Sequence, residues 1–176
     1  MARMLDVTFN RIQFTPDLMP SDILGTSVFL PAAGRFEYRK GPIFSNIVLV
    51  DEINRAPAKT QAALFEVMEE RQITNDGVEY RMDYPFVVVG TQNPIEHEGT
   101  YRLPEAQLDR FLFKINVTYP SVAEEIKVLE LHDHGAIARW QELKPVLSVE
   151  ALKKLRTQVA QVRVDPKIKS FIVNIV

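Results

Sequence analysis

Ile47–Ala56 reads IVLVDEINRA. An apolar, mostly β-branched run from Ile47 to Val50 drives straight into two adjacent carboxylates, Asp51 and Glu52. Continuous apolarity of this kind is how a strand reads when a parallel sheet covers both its faces. Neighbouring carboxylates repel each other, and neither gains from burial. A strand that ends on such a pair is expected to present it to something outside: a cation, a phosphate, or a water to be activated. In open α/β sheets, ligands sit beyond the carboxyl ends of the strands.

Working outward, Phe9–Phe14 (FNRIQF) reads as a short strand. The stretch TPDLMPSDILG after it starts as a loop. Val28–Leu30 and Arg35–Arg39 form a hairpin around Pro31–Gly34, with Phe36 and Tyr38 on one face. Pro57 is placed to open a helix, where its missing N–H costs nothing. Ala58, Ala62, Leu64, Phe65 and Met68 give that helix an apolar stripe. Gln72–Met82 is a second hairpin, turning at Asn75-Asp76-Gly77. Phe86–Gly90 (FVVVG) reads as another buried strand, tipped by Thr91, Gln92 and Asn93. Two strand ends with polar tips can converge on one ligand. LPEAQLDRF is a short helix leading to Arg110, and Phe111–Val117 (FLFKINV) reads as a further strand.

Past Pro120 the pattern becomes helical. Ser121 and Glu124 form a capping box. Val149, Leu152, Leu155 and Val159 share a stripe, and Asp165 caps a helix that opens on Pro166. The expected organisation is an α/β core over residues 1–120 followed by a helical subdomain over 121–176.

The chain has 176 residues, enough to bury a real core. Its net charge of -2 provides no basic field for nucleic acid. With no cysteine, disulfides and thiolate metal sites are excluded, which fits a reducing compartment. No apolar run approaches the roughly 20 residues that span a bilayer. MARMLDVTF lacks a signal-peptide pattern, so the cytoplasm is the expected location and no membrane partner is expected.

Three blocks together carry a resemblance: VLVDEINRAPAKTQAALFEVMEER, GTQNPIEHEGTYRLPEAQLDRF and IQFTPDLMPSDILG. In this order and spacing they resemble the MoxR family of AAA+ ATPases from about Ala2 to Pro120. The tail is similar to the start of that family's lid. The resemblance implies a P-loop AAA+ core, a parallel sheet with flanking helices and two β-hairpin insertions, followed by part of an α-helical lid. It implies ATP and Mg²⁺ as cofactors and a homo-oligomeric, hexameric ring. Partners carrying a von Willebrand factor A domain are implied as a class. By the same resemblance, Asp51 holds Mg²⁺ through its waters and Glu52 polarises the attacking water. Asn93 is the sensor that orients that water and contacts the nucleotide. Arg110 is the arginine finger, acting on nucleotide in the neighbouring subunit. The implied work is remodelling of protein complexes, or assistance in their assembly and in metal insertion.

One element of the family pattern is missing. A phosphate cradle needs G-x-x-x-x-G-K-[ST], and the 176 residues contain none. AAGRFEYRKGP has glycines and a lysine at the wrong spacing. The family's P-loop, and the central strand before it, would precede the segment that ARMLDVTF resembles. The lid's second arginine sensor would lie beyond Val176. The chain therefore reads as a fragment, and on its own it is expected to bind nucleotide weakly or not at all. Two other readings stay open: a nucleotide-free interaction module, and a nucleic-acid motor of the helicase and chelatase clade.

Residue by residue, plainer roles stand beside these. Asp51-Glu52 can be a solvated strand end, and Asn93-Pro94 can simply begin a turn. Arg110 can be a surface ion-pair partner of Asp109 or Glu105. Arg55 and Lys59 fit a solvated helix face or a subunit contact. His97 reads as a loop histidine. His132-Asp133-His134 reads as solvated helix-end residues, since two histidines at this spacing face different sides of a helix.

Overall fold

The structure, a computed structural model, describes residues 1–93, 101, 103–133 and 143–175. The first elements along the chain are α1 (Ala2–Leu5), β1 (Phe9–Gln13) and α2 (Pro20–Leu24). A hairpin, β2 (Gly25–Leu30) and β3 (Arg35–Lys40), precedes β4 (Ile47–Asp51). A short 3-10 turn, Ile53–Arg55, leads into α3 (Ala58–Glu70). A second hairpin, β5 (Gln72–Asn75) and β6 (Val78–Arg81), precedes β7 (Val87–Gly90). Helices α4 (Glu105–Leu108), α5 (Val122–Asp133), α6 (Val149–Ala160) and α7 (Pro166–Ile175) follow.

β1, β4 and β7 form a parallel sheet in the order β1-β4-β7. β4 lies in the middle, which explains its apolar run: Ile47, Val48 and Val50 are buried. The register sets Gln13 beside Asp51 and Gly90 beside Val50, so all three strands end at one rim. α3 and the second hairpin together carry the chain back from that rim to the start of β7.

The core lies between the sheet and α3. Phe14, Ile23, Ile43, Val48, Val50, Leu64 and Phe65 are almost wholly buried. The stripe expected on α3 is rotated. Thr60, Gln61, Leu64, Phe65 and Val67 are its buried residues, whereas Ala58 and Ala62 are exposed. Polar Thr60 and Gln61 face inward because each has backbone carbonyls to satisfy. Thr60 Oγ1 donates to Leu18 O at 2.7 Å. Gln61 Nε2 donates to Ile53 O at 3.2 Å and Ala56 O at 3.0 Å. Pro57 stands at the N-cap, one place before the helical position expected for it.

Both hairpins form as expected, and they dock on each other. Asn75 Nδ2 donates to Ser27 Oγ at 2.7 Å, and Ser27 Oγ donates to Asp76 Oδ2 at 2.6 Å. The rings of Tyr38 and Tyr80 meet at a tilt of 39°, with their centres 4.5 Å apart. Gly25 has φ 110°, and a Cβ there would lie 2.2 Å from Arg39 O, so only glycine fits where α2 turns into β2.

Two strand expectations need correction. Phe86–Gly90 was expected to be buried, but Val87 and Val89 are exposed. β7 is the edge of the described sheet, with β4 on one side alone. Phe111–Val117 was expected as a strand, yet it is irregular, with Leu112, Phe113, Ile115 and Val117 exposed. A strand needs a partner's hydrogen bonds, and no described strand lies beside this segment. Its first residue, Phe111, is nonetheless held edge-on to Phe65 with ring centres 6.1 Å apart.

In the helical tail the Asp165 cap forms as expected, while the Ser121–Glu124 capping box forms only in its glutamate half. Glu124 accepts from the Ser121 N–H at 2.8 Å, and the Ser121 hydroxyl also donates to it, at 2.7 Å. Lys167 N donates to Asp165 Oδ1 at 2.8 Å. The apolar stripes, however, are uncovered: Leu155, Val159, Phe171 and Ile172 are all exposed. Among the described residues, no helix is long and apolar enough to cross a membrane.

Gln61→Met keeps the volume but leaves two carbonyls unanswered. It is expected to lower the unfolding free energy by about 2–4 kcal/mol in urea denaturation.

Candidate functional site

The common rim of β4 and β7 is where the sequence's polar residues meet. The strand pairing continues past β7: Thr91 N donates to Val50 O at 2.9 Å, and Ile53 N donates to Thr91 O at 3.0 Å. This brings the tip of β7 beside the acid pair. The Thr91 hydroxyl accepts from the Glu52 N–H at 2.9 Å and donates to Asp51 Oδ1 at 2.9 Å.

Asp51 ends β4, and its remaining oxygen faces β1. Arg11 Nε donates to Asp51 Oδ2 at 2.6 Å, and Arg11 Nη2 lies 2.5 Å from the same atom. The Arg11 guanidinium first, then the Thr91 hydroxyl, holds the Asp51 carboxyl below the usual carboxylate range.

Glu52 has φ 55° and ψ 49°, the left-handed region. For a residue with a Cβ, that conformation costs on the order of 1 kcal/mol. It turns the side chain out of the strand's alternation, so the two acids do not simply point to opposite faces. Glu52 Oε2 accepts from Gln13 Nε2 at 2.8 Å and from Arg55 Nη1 at 3.0 Å. Arg55 thus pairs with Glu52 in its own chain.

Asn93 lies on the same rim, where its carbonyl accepts from Asn54 Nδ2 at 3.5 Å. Asn54 Oδ1 is buried with no hydrogen-bond partner among the described residues. Asp51 and Glu52 thus stand beside the tip of β7, and the Asn93 backbone follows two residues after Thr91, against Asn54 of the turn after the acids.

Arg110 is set elsewhere. It follows α4 and grips Glu69 Oε2 through Nε at 3.0 Å and Nη2 at 2.7 Å. Its guanidinium lies over the Phe65 ring, 5.8 Å from the centre. The ion pair foreseen with Asp109 or Glu105 is replaced by one with Glu69. Glu69 lies near the end of α3, roughly 15–20 Å along that helix from its start near the rim. Glu66 and Glu70 line the same open depression.

Two side chains that contact the acid pair are not legible in the sequence, Arg11 and Gln13, whereas Thr91 is legible as a polar strand tip. Arg11 and Gln13 alternate with the buried Ile12 on β1, which reads as a plain solvent face. Only the register with β4 gives them their partners. The readings placed on His97 and on His132-Asp133-His134 fall outside the described side chains. No group of three or more His, Asp or Glu among the described residues is arranged to hold a metal ion.

The profile of the ATPase family associated with various cellular activities (AAA) matches residues 1–113. Chaperone MoxR1 of Mycobacterium tuberculosis is 47% identical over 175 residues, covering 99% of this chain and 45% of that one. The chain belongs to the MoxR family of AAA+ ATPases. The uncharacterized protein YeaC of Bacillus subtilis is 51% identical over 176 residues, all of this chain and 54% of its own. A crystal structure of a "putative ATPase" from Cytophaga hutchinsonii superposes with a TM-score of 0.84 at 42% identity, covering 98% of this chain and 52% of that one. The chain thus spans about half the length of the curated relatives it matches. The fold agrees with an AAA+ core bearing extra helices.

The AAA family binds nucleotide, typically with Mg²⁺, and its members commonly form rings. The donor set at the rim tests that against this chain. Carboxylate oxygens are the hard ligands Mg²⁺ prefers, and Asp51 offers a carboxylate at the rim. The residues fit the metal-facing half of such a site. The phosphate-holding half has no matching G-x-x-x-x-G-K-[ST] segment in these 176 residues.

The lowered pKa of Asp51 fixes a pH dependence. Its stabilising contact with Arg11 is fully present above the ordinary aspartate pKa of about 3.9. It is lost as pH falls through the lower folded-state value. Asp51→Asn is therefore expected to flatten the acid limb of a stability-against-pH curve below about pH 4, while Asp17→Asn flattens it only through its own local contact with Thr15.

Proposed function

We propose that this chain is the water-activating and subunit-contacting part of a MoxR-type ATPase, which hydrolyses ATP in a ring to remodel protein complexes. One observation supports the reading: Asp51 and Glu52 end β4 beside the tip of β7, where Thr91 ties the two strands and the Asn93 backbone carbonyl meets Asn54. Bound Mg–ATP supplies the phosphoryl group and the metal's charge. Asp51 is the residue that would hold the metal. Glu52 accepts a hydrogen bond from the attacking water and draws its proton towards itself. Asn93 orients that water with its side-chain amide.

Arg110 acts on nucleotide in the adjacent subunit. In its own chain it sits at the far end of α3 among acidic residues, a poor place to meet this chain's own phosphates. Glu69 keeps the guanidinium on its own subunit until a neighbour's phosphate competes for it. A guanidinium of this kind is worth about 10³ to 10⁵ in rate. The ring is hexameric, and a protein with a von Willebrand factor A domain is the partner class. Residues 1–120 form the core and 121–176 begin the lid, whose uncovered stripes on α6 and α7 fit packing against the rest of a longer protein. The chain alone binds nucleotide weakly or not at all, because these 176 residues hold no G-x-x-x-x-G-K-[ST] cradle.

Nucleic-acid translocation is disfavoured by the net charge of -2.

In the longer protein, Glu52→Gln is expected to reduce ATP turnover by about 10² or more while ATP binding is retained. Unchanged turnover removes Glu52 from this role. Subunits carrying Glu52→Gln and Arg110→Ala are each expected to be inactive alone. Mixed one to one, they are expected to recover about a quarter of wild-type turnover, because only a trans arrangement leaves some interfaces intact. No recovery places Arg110 in cis or outside catalysis.

A further inference from the structure

Asp51 already has a cation of its own. Arg11 reaches from β1 and sets two nitrogens on Asp51 Oδ2, at 2.6 and 2.5 Å. Asp51 Oδ1 is taken by the Thr91 hydroxyl. Both oxygens that would receive a hydrated metal ion therefore carry donors from this chain. The pair is unequal in a useful way. The Arg11 side chain is 62% exposed, the Asp51 side chain only 18%. Arg11 can swing into solvent with little change in its hydration, whereas Asp51 stays where the β4 backbone puts it. A guanidinium and a hydrated divalent ion seek the same lone pairs, and their like charges oppose joint occupancy.

We propose that Arg11 is a built-in counter-ion for Asp51. It holds the carboxylate in place while no metal is bound, and a divalent cation displaces it. Arg11 is thus a positioning residue that sets how tightly the rim takes its metal. Its spacing on the strand supports this. Arg11 and Gln13 stand two apart on one face of β1, and each takes one member of the acid pair. Of these two, Arg11 carries the charge that competes with a cation at Asp51, while Arg55 pairs with Glu52. The inference rests on Asp51 being the metal-facing carboxylate.

The test uses Mn²⁺ as a paramagnetic probe on the longer protein, reading amide broadening at Glu52 and Thr91 by NMR. Arg11→Met is expected to reach half-broadening at about tenfold less Mn²⁺ than wild type. Arg11→Lys keeps the charge but loses the fork, and is expected to fall between them. It carries the test should the methionine variant fold poorly. Asp51→Asn is expected to abolish the broadening in every background. Equal Mn²⁺ dependence in wild type and both Arg11 variants, with Asp51→Asn still abolishing it, overturns the counter-ion role alone. Broadening that ignores Asp51→Asn, or no broadening at all, overturns the metal-facing reading of Asp51 and this inference with it.

Discussion

The hydroxyl of Thr91 fastens the acid pair to two strand ends that the backbone already pairs. It accepts from the Glu52 amide and donates to the Asp51 carboxylate, while the Thr91 backbone bonds Val50 and Ile53 on either side. The position of the β7 tip against the acid pair depends on that stitch. A slip of one residue between β4 and β7 would reverse the face of each side chain on the slipped strand. It would also leave the Glu52 amide without its acceptor. The left-handed backbone of Glu52 is held by the same contacts, so a small local strain is spread over the sheet's own hydrogen bonds.

Beneath the rim, the core reaches the site through one polar residue. Gln61 is buried on α3, yet it bonds the carbonyls of Ile53 and Ala56 on either side of the 3-10 turn. Ile53 and Ala56 are themselves buried. The turn after the acids is thus clamped from below by a helix and from the side by β7. β1 adds the third wall, with Arg11 and Gln13. A site made of side chains on separate elements needs such cross-bracing to keep its geometry.

Much of this was legible in the sequence. The apolar run before Asp51 marked the central strand, because only a strand covered on both faces carries such a run to a polar end. Asn75-Asp76-Gly77 marked a turn, and Asp76 and Gly77 do adopt positive φ there. Asp165-Pro166 marked a helix start. What failed was burial at the edges. The valines of β7 and the apolar residues of Phe111–Val117 match a covered sheet, but among the described residues no strand covers them. A pattern of side chains reports the environment a segment suits, not whether its neighbour lies within the same stretch of chain. Arg11 and Gln13 escaped for a related reason. Alternating polar residues on a strand look solvent-facing until the register of a parallel neighbour is known. The rotated face of α3 escaped because Thr60 and Gln61 are polar, and their carbonyl partners are distant or lie in a turn.

The most direct measurement is a crystal structure of the longer protein with Mg²⁺ and a non-hydrolysable ATP analogue. The account expects the metal to face Asp51 through water, and the terminal phosphate to lie before Glu52 and Asn93 with Arg110 of an adjacent subunit reaching towards it. A terminal phosphate bound away from the β4–β7 rim, with Asp51 still held by Arg11, would contradict it.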